Sequence, residues 1–273
     1  MNRRNSDTKR GVGRSLGALR AGFGFLTRLP AGKTIESDWD AFCQSPWVLP
    51  IVGFVVGGFA AIPMLATGSL PGPTVAVGYV TAIYLLTGIH HLDGVADLGD
   101  AIVVHGDRER RRSVLKDTTT GVGAILAVSL VVAGLALGGL AVTTMPIVIA
   151  VTVVVAAEVG AKLGMATMAA FGTASHDGLG SQLIESVGPT GLVLAVPASI
   201  SAAMIVPFAG SAAPIETSGI AMGTLGGAIL GATVPWVWAR RRLGGINGDV
   251  FGAANEVGRL VGLHVGVIAW TLF

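Results

Sequence analysis

Charged side chains are scarce in this chain of 273 residues: Asp, Glu, Lys and Arg make up 12% of it, against 52% hydrophobic residues. An ordinary soluble domain carries about 25% charged residues, so roughly half of the usual solubilising surface is missing and a water-soluble globule is excluded. The mean hydropathy of +0.72 agrees. Cysteine is nearly absent. The single Cys43 has no internal partner, which excludes a disulfide framework, and it reads as a small residue in an amphipathic segment. The first fifteen residues are polar and basic, with neither an apolar core nor a cleavage site, so no secretory signal peptide is expected. Nor is there an internal repeat, a heptad pattern or a low-complexity tract. The net charge of +2 and pI near 9.0 raise nucleic acid as a partner, but the basic residues flank apolar stretches instead of forming one stripe, so no nucleic acid is expected.

What the chain does have is long apolar stretches and 41 glycines. About 20 apolar residues are needed to cross roughly 30 Å of hydrocarbon at about 1.5 Å per residue. Small residues let such helices approach closely. Residues 1–14 read as a disordered cytoplasmic tail and 15–273 as one integral-membrane domain. The segment SLGALRAGFGFLTRLP carries Arg20 and Arg28 and stops at Pro30, so it reads as an interfacial amphipathic helix. Apolar stretches follow at 47–67, 72–89, 121–143, 146–171, 188–209, 218–239 and 253–273. The expected architecture is therefore an all-α, polytopic membrane bundle of about seven transmembrane helices plus that N-terminal helix. Of the 18 Lys and Arg residues, eight precede the first stretch, five (Arg108, Arg110, Arg111, Arg112, Lys116) follow the second, and three (Arg240, Arg241, Arg242) follow the sixth. The turns near Ser69, Thr144 and Ser211 have none. By the positive-inside rule, an N-terminus in the cytoplasm puts all of these on the inner side and the C-terminus outside.

Three inner segments hold most of the unusual residues. In HHLDGVADLGD (90–100), a helix places His90, Asp93, Asp97 and Asp100 within roughly 80° of one face. Carboxylates so placed repel one another unless a cation lies between them, and oxygen-only donors favour a hard ion such as Mg²⁺. A solvated acidic turn is the bland alternative, and His91 points away from that face. In DRERRRSVLKDTTTG (107–121), a basic cluster precedes Lys116, Asp117 and a Thr/Gly turn, a composition able to hold a diphosphate; membrane orientation alone also accounts for the arginines. In RRRLGGINGDVFGAANE (240–256), glycines allow close backbone approach, and Asp249 and Glu256 share a face if the segment is helical. Glu158 and Lys162 lie within the fourth stretch at i, i+4 and are expected to form a buried pair adjoining the site. His176 and Asp177, in a glycine-rich loop, are candidates for substrate binding.

These segments resemble those of the cobalamin synthase family, also called adenosylcobinamide-GDP ribazoletransferases. The resemblance rests on HLDGVADLGD (His91 to Asp100), LKDTTTG (Leu115 to Gly121), GGINGDVFGAANE (Gly244 to Glu256), the opening FLTRLP (Phe25 to Pro30) and a GLG loop at Gly178 to Gly180. They agree in order and spacing from about residue 22 to 262. Thr118 stands for the usual serine, Asn247 for a threonine, and Glu158 with Lys162 where the family often has a Ser-Arg pair.

The resemblance implies an Mg²⁺-dependent transferase that joins the cobinamide phosphate of adenosylcobinamide-GDP to α-ribazole, or its 5′-phosphate, and releases GMP. It implies a multi-pass protein of the plasma membrane with a cytoplasmic active site; a homo-oligomer is compatible with it. Asp93, Asp97 and Asp100 are expected to hold Mg²⁺, with Asp249 and Glu256 as ligands of a second ion. Arg112 and Lys116 would steady the leaving GMP, and Asn247, Asp249, Glu158, Lys162, His176 and Asp177 would contact substrate. His90, Asp117 and Asp100 are the candidates for the base. A CDP-alcohol phosphotransferase fits less well, since Asp97 stands where that pattern needs arginine and Arg110 where it needs aspartate. A transporter built on Glu158 and Lys162 would leave the three inner clusters without a role.

Overall fold

The computed structural model describes the backbone of residues 2–272 and the side chains of residues 11–272. Among the described residues there are twelve α-helices and no strand beyond two isolated bridges. Helix α1 (Asn2–Leu26) contains the expected amphipathic segment and begins ahead of it, within the residues read as a tail. Helix α2 (Glu36–Cys43) folds back on α1, where Arg20 donates to Asp38 from Nε and Nη2 at 2.9 and 2.5 Å. Together they form a cap over one end of the bundle.

The bundle itself begins at α3 (Val48–Ala60), which a 3-10 turn at Ile62–Ala66 extends, and α4 (Gly72–Thr87). Gly88 ends α4 with φ of 69°, a left-handed conformation that costs glycine little. The next helix, α5 (His90–Val103), leaves at 98° to α4. So sharp a turn carries α5 across the end of α4. The short α6 (Arg108–Val114) follows, then α7 (Val122–Val142) and α8 (Ile147–Phe171). Helix α9 (Leu179–Ser186) lies near α2, and the chain ends in α10 (Leu192–Gly210), α11 (Pro214–Arg242) and α12 (Gly248–Leu272).

Helix α8 is the axis. Its most apolar window is 78% buried, against 28% for α7 and α10, whose outer faces expose residues such as Leu130, Leu137, Val193 and Phe208. Apolar side chains all round a helix mean either burial or lipid, and the bundle contains both cases. Small residues at four-residue spacing let α8 touch its neighbours. Gly53 and Gly57 of α3 meet the Val155–Val159 backbone, Gly160 and Gly164 meet Ala228 and Ala232 of α11, and Gly258 and Gly262 of α12 meet Ala228.

All seven expected stretches are helical. Among the described residues, five segments are long and apolar enough to cross a membrane, and the bent α4–α5 pair makes a sixth if it counts as one span. The second stretch falls short because α4 has 16 residues, about 24 Å at about 1.5 Å per residue. The seventh, in α12, carries Glu256 and Arg259 in its first half.

Candidate functional site

Helix α5 and the start of α12 cross at their glycines. A Cβ on Gly94 would stand 2.9 Å from Asp249 Cα, and one on Gly252 would stand 3.0 Å from His91 Cα. Side chains larger than hydrogen at either position would prise the helices apart, so the glycines of the two motifs bring their acidic residues together. The approach to α12 is also built by hydrogen bonds. Asn247 caps the helix by accepting from Val250 N at 3.1 Å, while its Nδ2 donates to Asp249 Oδ2 at 2.7 Å. Backbone bonds from Ser175 N to Ile246 O (2.9 Å) and from Ile246 N to Thr173 O (2.8 Å) tie the loop before α9 to the loop before α12.

These elements enclose a cavity of about 580 Å³. Its polar wall carries His90, His91, Asp93, His176, Asn247 and Asp249, and its apolar wall includes Phe25, Trp39 and Phe42 from the α1–α2 cap. Phe25 and Trp39 meet edge to face at 5.0 Å, and Trp39 Nε1 donates to Gln182 Oε1 on α9 at 2.5 Å, which closes that side.

The acidic face is electrically coupled. Burial, then the charges of Asp249, Asp93 and Asp100, push the Asp97 carboxyl up to about 7. Among the described residues, no three His, Cys, Asp or Glu side chains stand close enough to hold a metal ion by themselves. Mg²⁺ ordinarily uses one or two carboxylates, waters and substrate phosphates in preference to an all-protein cage. The donor set here, all oxygen and drawn from two helices, fits such an ion.

Two expected ligands have other partners. Asp100 Oδ2 accepts from Gly121 N at 2.7 Å and Oδ1 from Ala124 N at 2.9 Å, so the carboxylate caps the start of α7 and is committed there. Glu256 is fully buried and accepts from Arg259 Nη1 through both oxygens at 2.7 Å. Arg259 also binds Glu158, through a short Nε–Oε1 contact and an Nη2–Oε2 contact of 3.3 Å. The expected Glu158–Lys162 pair is thus replaced by Glu158–Arg259–Glu256, and Lys162 Nζ donates instead to Asn255 Oδ1 at 2.5 Å. Two carboxylates and two cations, all fully buried, balance in sign, which is what makes charge tolerable in the bundle core. Neither Glu158 nor Lys162 lines the cavity.

The basic segment also stays outside. Arg112 Nε donates to Leu243 O at 2.9 Å and Arg111 Nη1 to Ala101 O at 2.6 Å, fastening α6 to the ends of α11 and α5. Lys116 is exposed. Asp117 accepts from Thr119 N at 3.0 Å and Thr119 Oγ1 at 2.8 Å, and these bonds hold its carboxyl below the usual range in an exposed turn of its own. Asp177 is exposed and absent from the cavity wall, whereas His176 lines it and contacts Ser175 Oγ through Nδ1 at 2.9 Å.

Sequence reasoning missed His91. Helical phase turns it away from the aspartates, but the direction it turns is toward α12, where Nδ1 meets Asn255 Nδ2 at 3.1 Å. Burial, then the charges of Lys162, Arg259 and His90, hold its ring well below the ordinary histidine value, so it is neutral. Its place at the head of the HLDG motif was the available signal. Arg259 was missed as the partner of Glu158 because the two lie 101 positions apart, and only folding reveals such a pair.

The model of the cobalamin-5-phosphate synthase family matches residues 18–267. An adenosylcobinamide-GDP ribazoletransferase of Halorubrum lacusprofundi is 47% identical over 94% of this chain and 99% of its own length. Those of Haloquadratum walsbyi and Halobacterium salinarum are 41% and 53% identical over 94% and 77% of this chain, and 99% and 100% of their own lengths. No solved structure matches the chain.

Proposed function

The chain belongs to the cobalamin-5-phosphate synthase family, and from that premise we propose that the cavity between α5, α12 and the α1–α2 cap is where its transfer reaction takes place. The reaction is that of the adenosylcobinamide-GDP ribazoletransferases: adenosylcobinamide phosphate passes from adenosylcobinamide-GDP to a ribazole-type acceptor, in the closing steps of cobalamin synthesis. The acceptor hydroxyl oxygen bonds to the phosphorus next to cobinamide, and the phosphorus–oxygen bond to GMP breaks. The hydroxyl proton goes to a base, and GMP leaves with the bridging oxygen.

The observation that carries the location is the meeting of the two acidic motifs at Gly94 and Gly252, which leaves Asp93 and Asp249 on one cavity wall. Transfer of this kind is mostly positioning and neutralisation of charge on phosphate oxygens. In our reading Asp93, Asp97 and Asp249 would hold Mg²⁺ together with water and substrate phosphate oxygens, and that ion would supply the charge neutralisation. Asn247 orients Asp249 for this, and His176 faces the same space. Of the candidate bases His90 is the one on the cavity wall, so it takes the hydroxyl proton. The aromatic wall of Phe25, Trp39 and Phe42 suits a planar ring of either substrate.

In the same reading this cavity faces the cytoplasmic side of the plasma membrane, which the arginines of α6 and of the end of α11 support. Sealed vesicles of the two orientations test it. Adenosylcobinamide-GDP and ribazole added outside should yield GMP with inverted vesicles and none with right-side-out vesicles; the reverse pattern refutes the assignment.

A further inference from the structure

Lys162 lies fully buried in α8, away from the cavity, and one amide group joins it to the cavity wall. An ammonium can only donate, so the Asn255 atom facing Lys162 Nζ at 2.5 Å is the carbonyl oxygen. That contact fixes the other side of the amide. Nδ2 faces His91 Nδ1 at 3.1 Å and Glu256 Oε1 at 3.4 Å. An amide nitrogen has no lone pair to offer, so His91 Nδ1 must be the acceptor and the ring proton sits on Nε2. Nε2 has no hydrogen-bond partner among the described residues, and His91 lines the cavity with Asp93.

We propose that Lys162 and Asn255 are positioning residues that hold His91 in the Nε2–H form, so that it offers the substrate a hydrogen-bond donor and not a base. The second half rests on the cavity being the active site. A donor at this point suits an anionic phosphate oxygen of the diphosphate substrate, and it cannot take the acceptor's proton, since Nδ1 is engaged and Nε2 is already protonated. Two adjacent histidines therefore divide the work, His91 donating and His90 accepting. The arrangement also accounts for a lysine in the bundle core: a neutral side chain that could both donate and accept would leave the Asn255 amide free to turn over. A donor-only group at position 162 leaves it one orientation.

Full-length protein labelled with ¹⁵N-histidine in lipid nanodiscs tests this. The chain has five histidines, and the His91 signals are those lost in His91→Gln. In the unsubstituted protein Nδ1 should show the unprotonated, pyridine-like shift and Nε2 the protonated one. Asn255→Asp should invert the two, because a carboxylate accepts from both Lys162 and the ring, and GMP release should fall about 10- to 100-fold, the range for one hydrogen bond to a charged group. Lys162→Gln, which can accept as well as donate, should free the amide to turn over, so that the ring shows both forms. A proton on Nδ1 in the unsubstituted protein overturns the proposal, as does a ring unchanged in Asn255→Asp or one held wholly in the original form in Lys162→Gln. Should Asn255→Asp fail to fold, the spectrum of the unsubstituted protein still decides. Failure of the active-site assignment looks different: the ring is Nε2–H, but adenosylcobinamide-GDP leaves the Nε2 signal unmoved, which removes the substrate contact alone.

Discussion

Gly94 of α5 lies so close to Asp249 of α12 that a Cβ on it would stand 2.9 Å from the Asp249 Cα. Two segments about 150 positions apart in sequence thus share one wall, and everything assigned to the site depends on that contact.

Gly94→Ala should therefore push α5 and α12 apart without preventing insertion. Overpacking of this sort costs about 1–3 kcal/mol, while a displacement of about 1 Å at a reacting centre costs about 100-fold in rate. GMP release should fall about 100-fold at matched expression, with a modest drop in thermal midpoint. Activity retained within about threefold would show that the two motifs need not touch so closely.

The buried charges predict a stability pattern. Arg259→Met strands Glu158 and Glu256 together, and breaking a buried pair costs about 3–5 kcal/mol. Adding Glu158→Gln removes one of the stranded carboxylates, so the double variant should unfold at a higher temperature than Arg259→Met alone in detergent. Equal midpoints for the two variants would mean that Arg259 and Glu158 are not partners.

Asp100 separates structure from metal binding. As the cap of α7 its replacement by alanine should cost about 0.5–2 kcal/mol. The Mg²⁺ concentration giving half-maximal GMP release should stay within about twofold of the original. A shift of tenfold or more would return Asp100 to the set of ligands.

Mg²⁺ binding should depend on pH through Asp97. Its carboxyl is raised to about 7 in the metal-free protein, by burial first and neighbouring carboxylates second. Because the folded value lies above the unfolded one, the metal-free fold loses stability as pH rises through about 7, the opposite of a salt-bridged carboxylate. Binding of the cation must release that proton at lower pH. Affinity for Mg²⁺ should thus rise up to about tenfold per pH unit below pH 7 and level off above it. Calorimetry in buffers of different ionisation enthalpy at pH 6.5 should detect the released proton, and Asp97→Asn should abolish it. A pH-independent affinity would contradict the coupling.

The membrane bundle was legible because its cause is compositional: 52% apolar residues and 12% charged ones leave few other folds. Where sequence reading stopped short, the reason is local geometry or distant pairing. The left-handed turn at Gly88 cut the second stretch to 16 residues and swung α5 across its end, which no hydropathy window registers. Asp93 and Asp249 both line the cavity, and the helical phase and glycine spacing that bring them there act locally. Asp100 and Glu256 share the spacing of ligands but are taken by Gly121 N and Arg259, contacts made only in the folded chain. The arginines of α6 serve as struts, a use their composition shares with phosphate binding.

Asp93 is the residue on which the placement of the active site rests most directly. Asparagine nearly matches aspartate in shape but lacks its charge, so Asp93→Asn should insert and fold while losing most of the attraction for Mg²⁺. The deciding measurement is GMP release from adenosylcobinamide-GDP and ribazole by Asp93→Asn protein in membranes, at matched expression and across a Mg²⁺ series. Loss of several kcal/mol of transition-state stabilisation, at about 1.4 kcal/mol per tenfold, predicts a rate lower by about a thousandfold and partly recovered at high Mg²⁺. A rate near that of the unsubstituted protein, with unchanged Mg²⁺ dependence, would contradict the placement of the active site in this cavity.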